Sequence, residues 1–314
     1  MQRFPVFFFE KKNQKTFIHL RFSLVARQQA LGGSLLGCPR GHCSIYPACP
    51  AAGATPLSLL DDYGIVCIGD IHRQWDHVER GLAALDRPLR HVILLGDMEC
   101  TLPLDAHVAP ILAHGAGLNW IFGNHDADGG PDMWANLADP ARNPITAAGA
   151  LHRRVAQIGG LRVAGLGGTF HTRVWNPPAK PRLISRDQLG PDLAQLGPGW
   201  NADATASLAN ALSTMAIWPE DVAALAAQRA DVLITHEAPS SHRSGAAVLD
   251  DLARTMGAQL VVHGHHHIGY RAVAADGLEV QGVAAAWGVA LSGHTHWPGD
   301  KQRKLPQTPG WTYR

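Results

Sequence analysis

Aspartate, histidine and asparagine recur at the ends of apolar runs along this chain, and together they have the composition of a metal centre. Asp70 and His72 follow GIVCI, Asp97 follows HVILL, and Asn124, His125 and Asp126 follow LNWIF. His236 closes ADVLIT, and His265 and His267 follow AQLVV. Carboxylate, imidazole and amide oxygen in one set favour a borderline divalent ion such as Mn, Fe, Zn or Ni over Ca. Two such ions roughly 3.5–4 Å apart can stabilise both oxygens of an in-line displacement, which is the chemistry of phosphate-ester hydrolysis. A lone Asp after a strand is a common turn residue. Five strand ends that each deliver a ligand type, in order, point to a site.

One motif occurs twice. HGHHHIGY (263–270) and SGHTHWPGD (292–300) both contain Gly-His-x-His. The first copy is separated from His236 by about one helix and one strand, so His265 and His267 are expected to return beside His236. The second follows a hairpin and a further apolar run, GVAAAWGVAL. His294 and His296 are therefore expected away from the centre, and His263 and His266 as supporting or surface residues.

The elements that must position these residues alternate. Short apolar runs at 64–70, 91–97, 118–126, 230–237 and 258–263 read as buried strands. A helical pattern with Trp75, Val78, Leu82 and Leu85 lies between the first two, and another covers roughly 246–256. Strand–helix alternation implies βαβ units and a mostly parallel sheet. Two hairpins are expected, turning at Gly159-Gly160 and at Asp276-Gly277. A proline-rich loop (171–184) and an Ala/Leu-rich helical region form an insertion over about 170–230. Residues 1–60 lack any period and are expected as a poorly ordered extension, 61–300 as the domain, and 301–314 as a tail.

Composition narrows the class. The chain has 314 residues, 46% hydrophobic and 17% charged, which is globular. A formal net charge of +1 offers no basic track for a polyanion, so nucleic acid is not an expected partner. Histidine is abundant, at 18. Five cysteines, an odd number, argue against a disulfide scaffold, and Cys38, Cys43 and Cys49 lack a convincing fourth zinc ligand. No stretch approaches the ~20 apolar residues of a membrane span. Leu35-Leu36-Gly37-Cys38 only faintly suggests a lipoprotein box, and the expected location is cytoplasmic.

Asp-x-His, Gly-Asp, Gly-Asn-His-Asp, a strand-end His and Gly-His-x-His, in that order over about 64–270, resemble the calcineurin-like metallophosphoesterase superfamily. The resemblance implies an α/β fold, a four-layer α/β/β/α sandwich, with a dinuclear centre between sheet edges. It implies that Asp70, His72 and His267 bind one divalent metal ion and Asn124, His236 and His265 the other. Asp97 would bridge them opposite a hydroxide that attacks phosphorus. His125 would contact the phosphate and protonate the leaving oxygen, and Asp126 would orient that imidazole or cap the following turn.

Departures bear on substrate. The serine/threonine phosphatase branch carries Gly where this chain has Arg73, and its second block reads Gly-Asp-x-Val-Asp-Arg-Gly. Here that block is GDMECT, so the branch's His-orienting Asp falls at Cys100 and its phosphate-gripping Arg at Thr101. A small phosphodiester or nucleotide substrate is therefore favoured. A phosphoprotein phosphatase and a non-catalytic metal-binding scaffold are the alternatives. Arg73 is a candidate for the missing phosphate contact. His171, Arg173, Trp175 and Arg186 are candidates for a substrate-contacting lid, although Trp175 is as readily expected to pack the insertion.

Overall fold

The computed structural model describes residues 61–197, 199–299 and 307–314. The expectations for residues 1–60, including the Cys38, Cys43 and Cys49 group, lie outside them. The description concerns the compact unit 56–314.

The first half alternates as its apolar runs require: β1 (Ile65–Ile68), α1 (Trp75–Ala83), β2 (His91–Leu94), α2 (Leu104–His107), α3 (Ala109–Ala113), β3 (Gly117–Trp120) and α4 (Pro131–Ala138). The Gly159-Gly160 hairpin joins β4 (Arg154–Ile158) to β5 (Leu161–Leu166). Both turn glycines have positive φ (57° and 86°), the conformation that lets a two-residue turn follow strand twist. The insertion supplies α5 (Leu189–Leu193), α6 (Ala202–Met215) and α7 (Pro219–Ala226). Then come β6 (Val232–Thr235), α8 (Ala247–Met256), β7 (Leu260–His263), β8 (Tyr270–Ala274) and β9 (Glu279–Gly282). The chain ends with β10 (Gly288–Ala290), β11 (Thr295–Trp297) and β12 (Trp311–Tyr313).

These strands form two sheets, ordered β11-β10-β1-β2-β3 and β12-β8-β9-β7-β6-β5-β4. In the first, β1, β2 and β3 are parallel; in the second, β5, β6, β7 and β9 are. Alternate residues of each strand serve different layers, as period-two geometry dictates. Val66, Ile68, Val92 and Leu94 face α1 and its neighbours, packing with Val78 and Leu82. Ile65, Cys67, Ile93 and Leu95 instead meet Val232, Ile234, Leu260 and Val262 of the second sheet. Leu233 and Val261 turn outward onto Leu225 of α7 and Leu249, Leu252 and Met256 of α8. The result is the four-layer α/β/β/α arrangement, and each buried Leu or Ile contributes about 1.5–3 kcal/mol to it.

Two expectations change. The ligand-bearing strands do not share one mostly parallel sheet: β1, β2 and β3 belong to the first sheet, β6 and β7 to the second. Their carboxyl ends converge because the sheets pack face to face through a common apolar layer. The 301–314 segment is not merely a tail, since Trp311–Tyr313 pairs antiparallel with β8 and covers that sheet edge. The Tyr313 hydroxyl also donates to the Ser241 carbonyl at 2.5 Å.

The insertion has its own small core of Val174, Trp175, Leu183, Leu212 and Trp218. Trp175 is 9% exposed and its indole N–H donates to the Ala179 carbonyl at 3.0 Å, so it packs this segment together.

Candidate metal centre

Ligand-type residues arrive on tight turns just past the strands. Among the described residues, nine non-glycine positions have positive φ, and seven lie in these turns: Asp70, His72, Arg73, Asp97, Glu99, His265 and His267. Asp, Asn and His tolerate the left-handed region better than most residues, whereas Arg and Glu there carry strain. Close approach adds its own demand. A Cβ on Gly123 would lie 2.2 Å from Asp97 Oδ1, so only glycine fits before Asn124.

Three sets of potential ligands form among the described residues, each with ligand atoms within 4.8 Å of one another: Asp70–His72–His267 and Asp97–His236–His265, which meet at Asp97, and Glu237–His265–His266, which shares His265 with the second. His72 Nε2 and His267 Nε2 lie 2.9 Å apart. Two nitrogens bound to one ion at roughly 2.0–2.1 Å would adopt a similar spacing. Asn124 Oδ1 is 3.3 Å from His236 Nε2 and joins the second set. Asp97 faces the first two sets, its Oδ2 lying 3.9 Å from His72 Nε2 and 3.3 Å from His236 Nε2.

The imidazoles are oriented from behind. His236 Nδ1–H donates to the Leu95 carbonyl at 2.7 Å, which turns Nε2 toward Asp97 and Asn124. His72 Nδ1–H donates to Glu99 at 2.7 Å, which turns its Nε2 toward His267. The His265 backbone N–H donates to Asp70 Oδ1 at 2.8 Å, tying the two sheets' turns together.

Three atoms decide whether the group fits a metal. Asp70 Oδ2, Asp97 Oδ2 and His265 Nδ1 are buried without a hydrogen-bond partner. Buried carboxylate oxygens left unpaired are costly, and divalent cations satisfy them. Electrostatics agree. Burial raises the Asp70 carboxyl to about 7, against the opposing pull of His236. Burial disfavours charge on His236, yet the Asp97 and Asp70 carboxylates raise it to about 10, so in the metal-free protein a proton on this imidazole supplies the positive charge that a cation would displace. His265 is pushed down to about 3 by burial, which keeps it a neutral ligand-type imidazole. The donor set fits two divalent cations.

His125 stands beside the sets, its ring centroid 5.5 Å from that of His72 and its side chain 42% exposed. Its Nδ1–H donates to Asp128 Oδ2 at 2.6 Å, and that hydrogen bond leads the causes that raise its pKa to about 9. Asp126 behaves otherwise than expected. Fully buried, its carboxylate accepts the backbone N–H groups of Asp97, Gly123 and Glu99 at 3.0, 2.8 and 2.9 Å. It neither orients His125 nor caps the next turn; it fastens the second block to the third, because left-handed turns leave amides pointing inward.

The remaining candidates separate. Arg73 is 54% exposed and pairs through Nε with Glu99 at 2.8 Å. Arg173 is engaged by Asp192 at 2.5 Å, and Arg186 by Glu220 and Asp221, which makes both braces of the insertion. His171 accepts the Arg173 N–H at 3.1 Å, within the same loop. His294 and His296 lie apart in the β10–β11 hairpin, where His296 Nε2–H donates to the Asp62 carbonyl at 2.8 Å. His263 is buried between the Gly264 carbonyl and the Tyr270 hydroxyl. Glu99 and Asp128 went unrecognised in the sequence. The only signals for them were a carboxylate two residues after Asp97 and another three after His125.

Residues 63–269 match the model of the calcineurin-like phosphoesterases. The chain belongs to this family. It is a metallophosphoesterase, an enzyme class that uses two divalent metal ions. An uncharacterized protein of Haemophilus influenzae is 34% identical over 209 residues, covering 65% of this chain and 83% of its own. A dimetal phosphatase from Danio rerio is similar at 13% identity and a TM-score of 0.45, over 72% of this chain and 88% of its own. The protein TT1561 of Thermus thermophilus is similar at 14% identity and a TM-score of 0.44, over 72% and 93%. No helix among the described residues of this phosphoesterase is long and apolar enough to cross a membrane.

Proposed function

We propose that this phosphoesterase hydrolyses small phosphodiester or nucleotide-type substrates. Asp70, His72 and His267 hold one ion, Asn124, His236 and His265 the other, and Asp97 faces both. The observation that carries this reading is the pair of orphaned buried oxygens, Asp70 Oδ2 and Asp97 Oδ2, among imidazole nitrogens. When bound, two divalent ions such as Mn, Fe, Zn or Ni supply Lewis-acid polarisation of a phosphoryl oxygen and a water of lowered pKa. His125, protonated at neutral pH through its pairing with Asp128, delivers a proton to the leaving oxygen. Arg73 binds a non-bridging phosphoryl oxygen. The same reading places the enzyme in the cytoplasm, in keeping with the free buried thiols of Cys67 and Cys100.

A diester is favoured over a phosphoprotein because Thr101 stands where the phosphatase branch has its arginine, and Cys100 is buried beneath. The test is a panel of bis(4-nitrophenyl) phosphate, 4-nitrophenyl phosphate and a phosphopeptide, assayed with metal-reconstituted and chelated protein. Metal-dependent turnover that is fastest on the diester is expected. His125→Ala should lower kcat by about 10²–10⁴-fold with metal content retained. Preference for the phosphopeptide would overturn the substrate class. Two bound metals with no turnover on any substrate would leave a non-catalytic scaffold.

A further inference from the structure

Glu99 uses each carboxylate oxygen on a different partner. Oε1 accepts from His72 Nδ1–H at 2.7 Å, and Oε2 forms an ion pair with Arg73 Nε at 2.8 Å. We infer that Glu99 is a positioning residue that sets His72 toward the metal and Arg73 toward the substrate's phosphoryl oxygens at once. The inference rests on His72 being a ligand, as proposed above.

The first contact fixes a tautomer. With Nδ1–H engaged, the lone pair of His72 sits on Nε2, 2.9 Å from His267 Nε2 and within the set completed by Asp70. A carboxylate behind a ligating imidazole also raises its basicity, and loss of such a partner typically weakens metal binding about 10–100-fold. The second contact uses Nε of the guanidinium and leaves both terminal nitrogens for other partners, on a side chain 54% exposed. Thr101 carries no cation, so a cation supplied by the first block takes over the phosphate contact of the second.

The carboxylate is itself held. Glu99 has a positive φ of 52°, and its N–H donates to buried Asp126 at 2.9 Å. The two blocks are also laced by backbone: the His72 N–H donates to the Asp97 carbonyl at 2.8 Å and the Arg73 N–H to that of Met98 at 3.3 Å. A residue placed at a left-handed φ and pinned from below, with both oxygens engaged, is pre-organised for two partners. Glutamine cannot replace it. Its single oxygen can accept from His72 or from Arg73, and its amide N–H₂ then faces a donor.

The experiment titrates chelator-treated protein with Co²⁺, followed by calorimetry and visible absorption, and measures kcat and KM on bis(4-nitrophenyl) phosphate. Wild type should bind two Co²⁺. Glu99→Gln should keep one affinity, weaken the other about 10–100-fold, and alter the Co²⁺ absorption. Arg73→Met should keep both affinities and raise KM more than it lowers kcat. The double variant should raise KM no further than the larger single effect, the non-additivity of a shared partner. Glu99→Ala, with the same expected losses, guards against a glutamine variant whose metal-free form melts early. Two wild-type Co²⁺ affinities in both Glu99 variants, or additive KM effects, would overturn the inference. Wild-type protein that binds no Co²⁺ would overturn the dinuclear reading itself.

Discussion

His265 and His294 are the first histidines of two Gly-His-x-His copies and live in different chemistry. His265 sits on a left-handed turn past β7, with its side chain 18% exposed, its N–H held by Asp70 and its Nδ1 without a hydrogen-bond partner. His294 lies in a hairpin between two short antiparallel strands with its side chain 53% exposed. His296 is tied to the Asp62 carbonyl and packs edge-on to Tyr63 at 4.6 Å. What separates the copies is the strand behind them. β7 is a buried parallel strand beside β6, so its end opens beside His236, whereas β10 runs antiparallel to β1.

Removing one histidine from each copy puts the contrast at most risk. His265→Ala should lower turnover by well over ~100-fold and abolish binding of one metal, exceeding the typical cost of losing a mere supporting partner. His294→Ala should leave turnover and metal content within about twofold. The reverse result, read by kinetics and metal analysis, would assign the centre to the hairpin.

Thermal melting separates the copies next. An ion present at about 100 times its Kd stabilises the native state by about 2.7 kcal/mol. Wild type and His294→Ala should therefore melt at lower temperature after chelation and recover on adding metal. In His265→Ala that shift should shrink.

Acid titration of the metal-free protein probes the interior of the first copy. Burial lowers His263 to about 3, so an unfolded chain, with histidine near 6.5, takes up its proton first. The stability contributed by neutral His263 is complete above about pH 6.5 and is lost as pH falls from there toward 3. His263→Gln should flatten that slope by about 1.4 kcal/mol per pH unit in denaturant titrations. An unchanged slope would mean that His263 is protonated in the folded state.

The mildest change belongs to the second copy. His296→Ala should cost about 1 kcal/mol of stability through its lost hydrogen bond and ring contact, with metal binding untouched.

Much of this was legible in the sequence, and the reason is local. The strand runs and both hairpins follow from apolar length and turn glycines, and the placement of His265 near His236 follows from the interval between them. The alternation within IVCI and VLIT divides the layers, but because both faces are apolar it could not say which sheet each strand joins. For that reason the alternation alone implies one mostly parallel sheet where two converge. Glu99 and Asp128 escaped notice, and Asp126 was given another role, because what these carboxylates do depends on where backbone amides and imidazole nitrogens point. In Asp126 the neighbouring His125 invited the wrong partner, and three inward amides claimed the carboxylate.

The left-handed turns also govern how such a centre can drift. At Asp70, His72, Asp97, His265 and His267 the backbone admits chiefly Gly, Asn, Asp and His at low strain. Three of those four are also metal-binding side chains. Random substitution is thus filtered by conformation before chemistry acts, and many survivors of that filter can still coordinate a cation. A lineage leaving one substrate for another would keep its metals almost by default, and would show its change first at exposed positions such as Arg73.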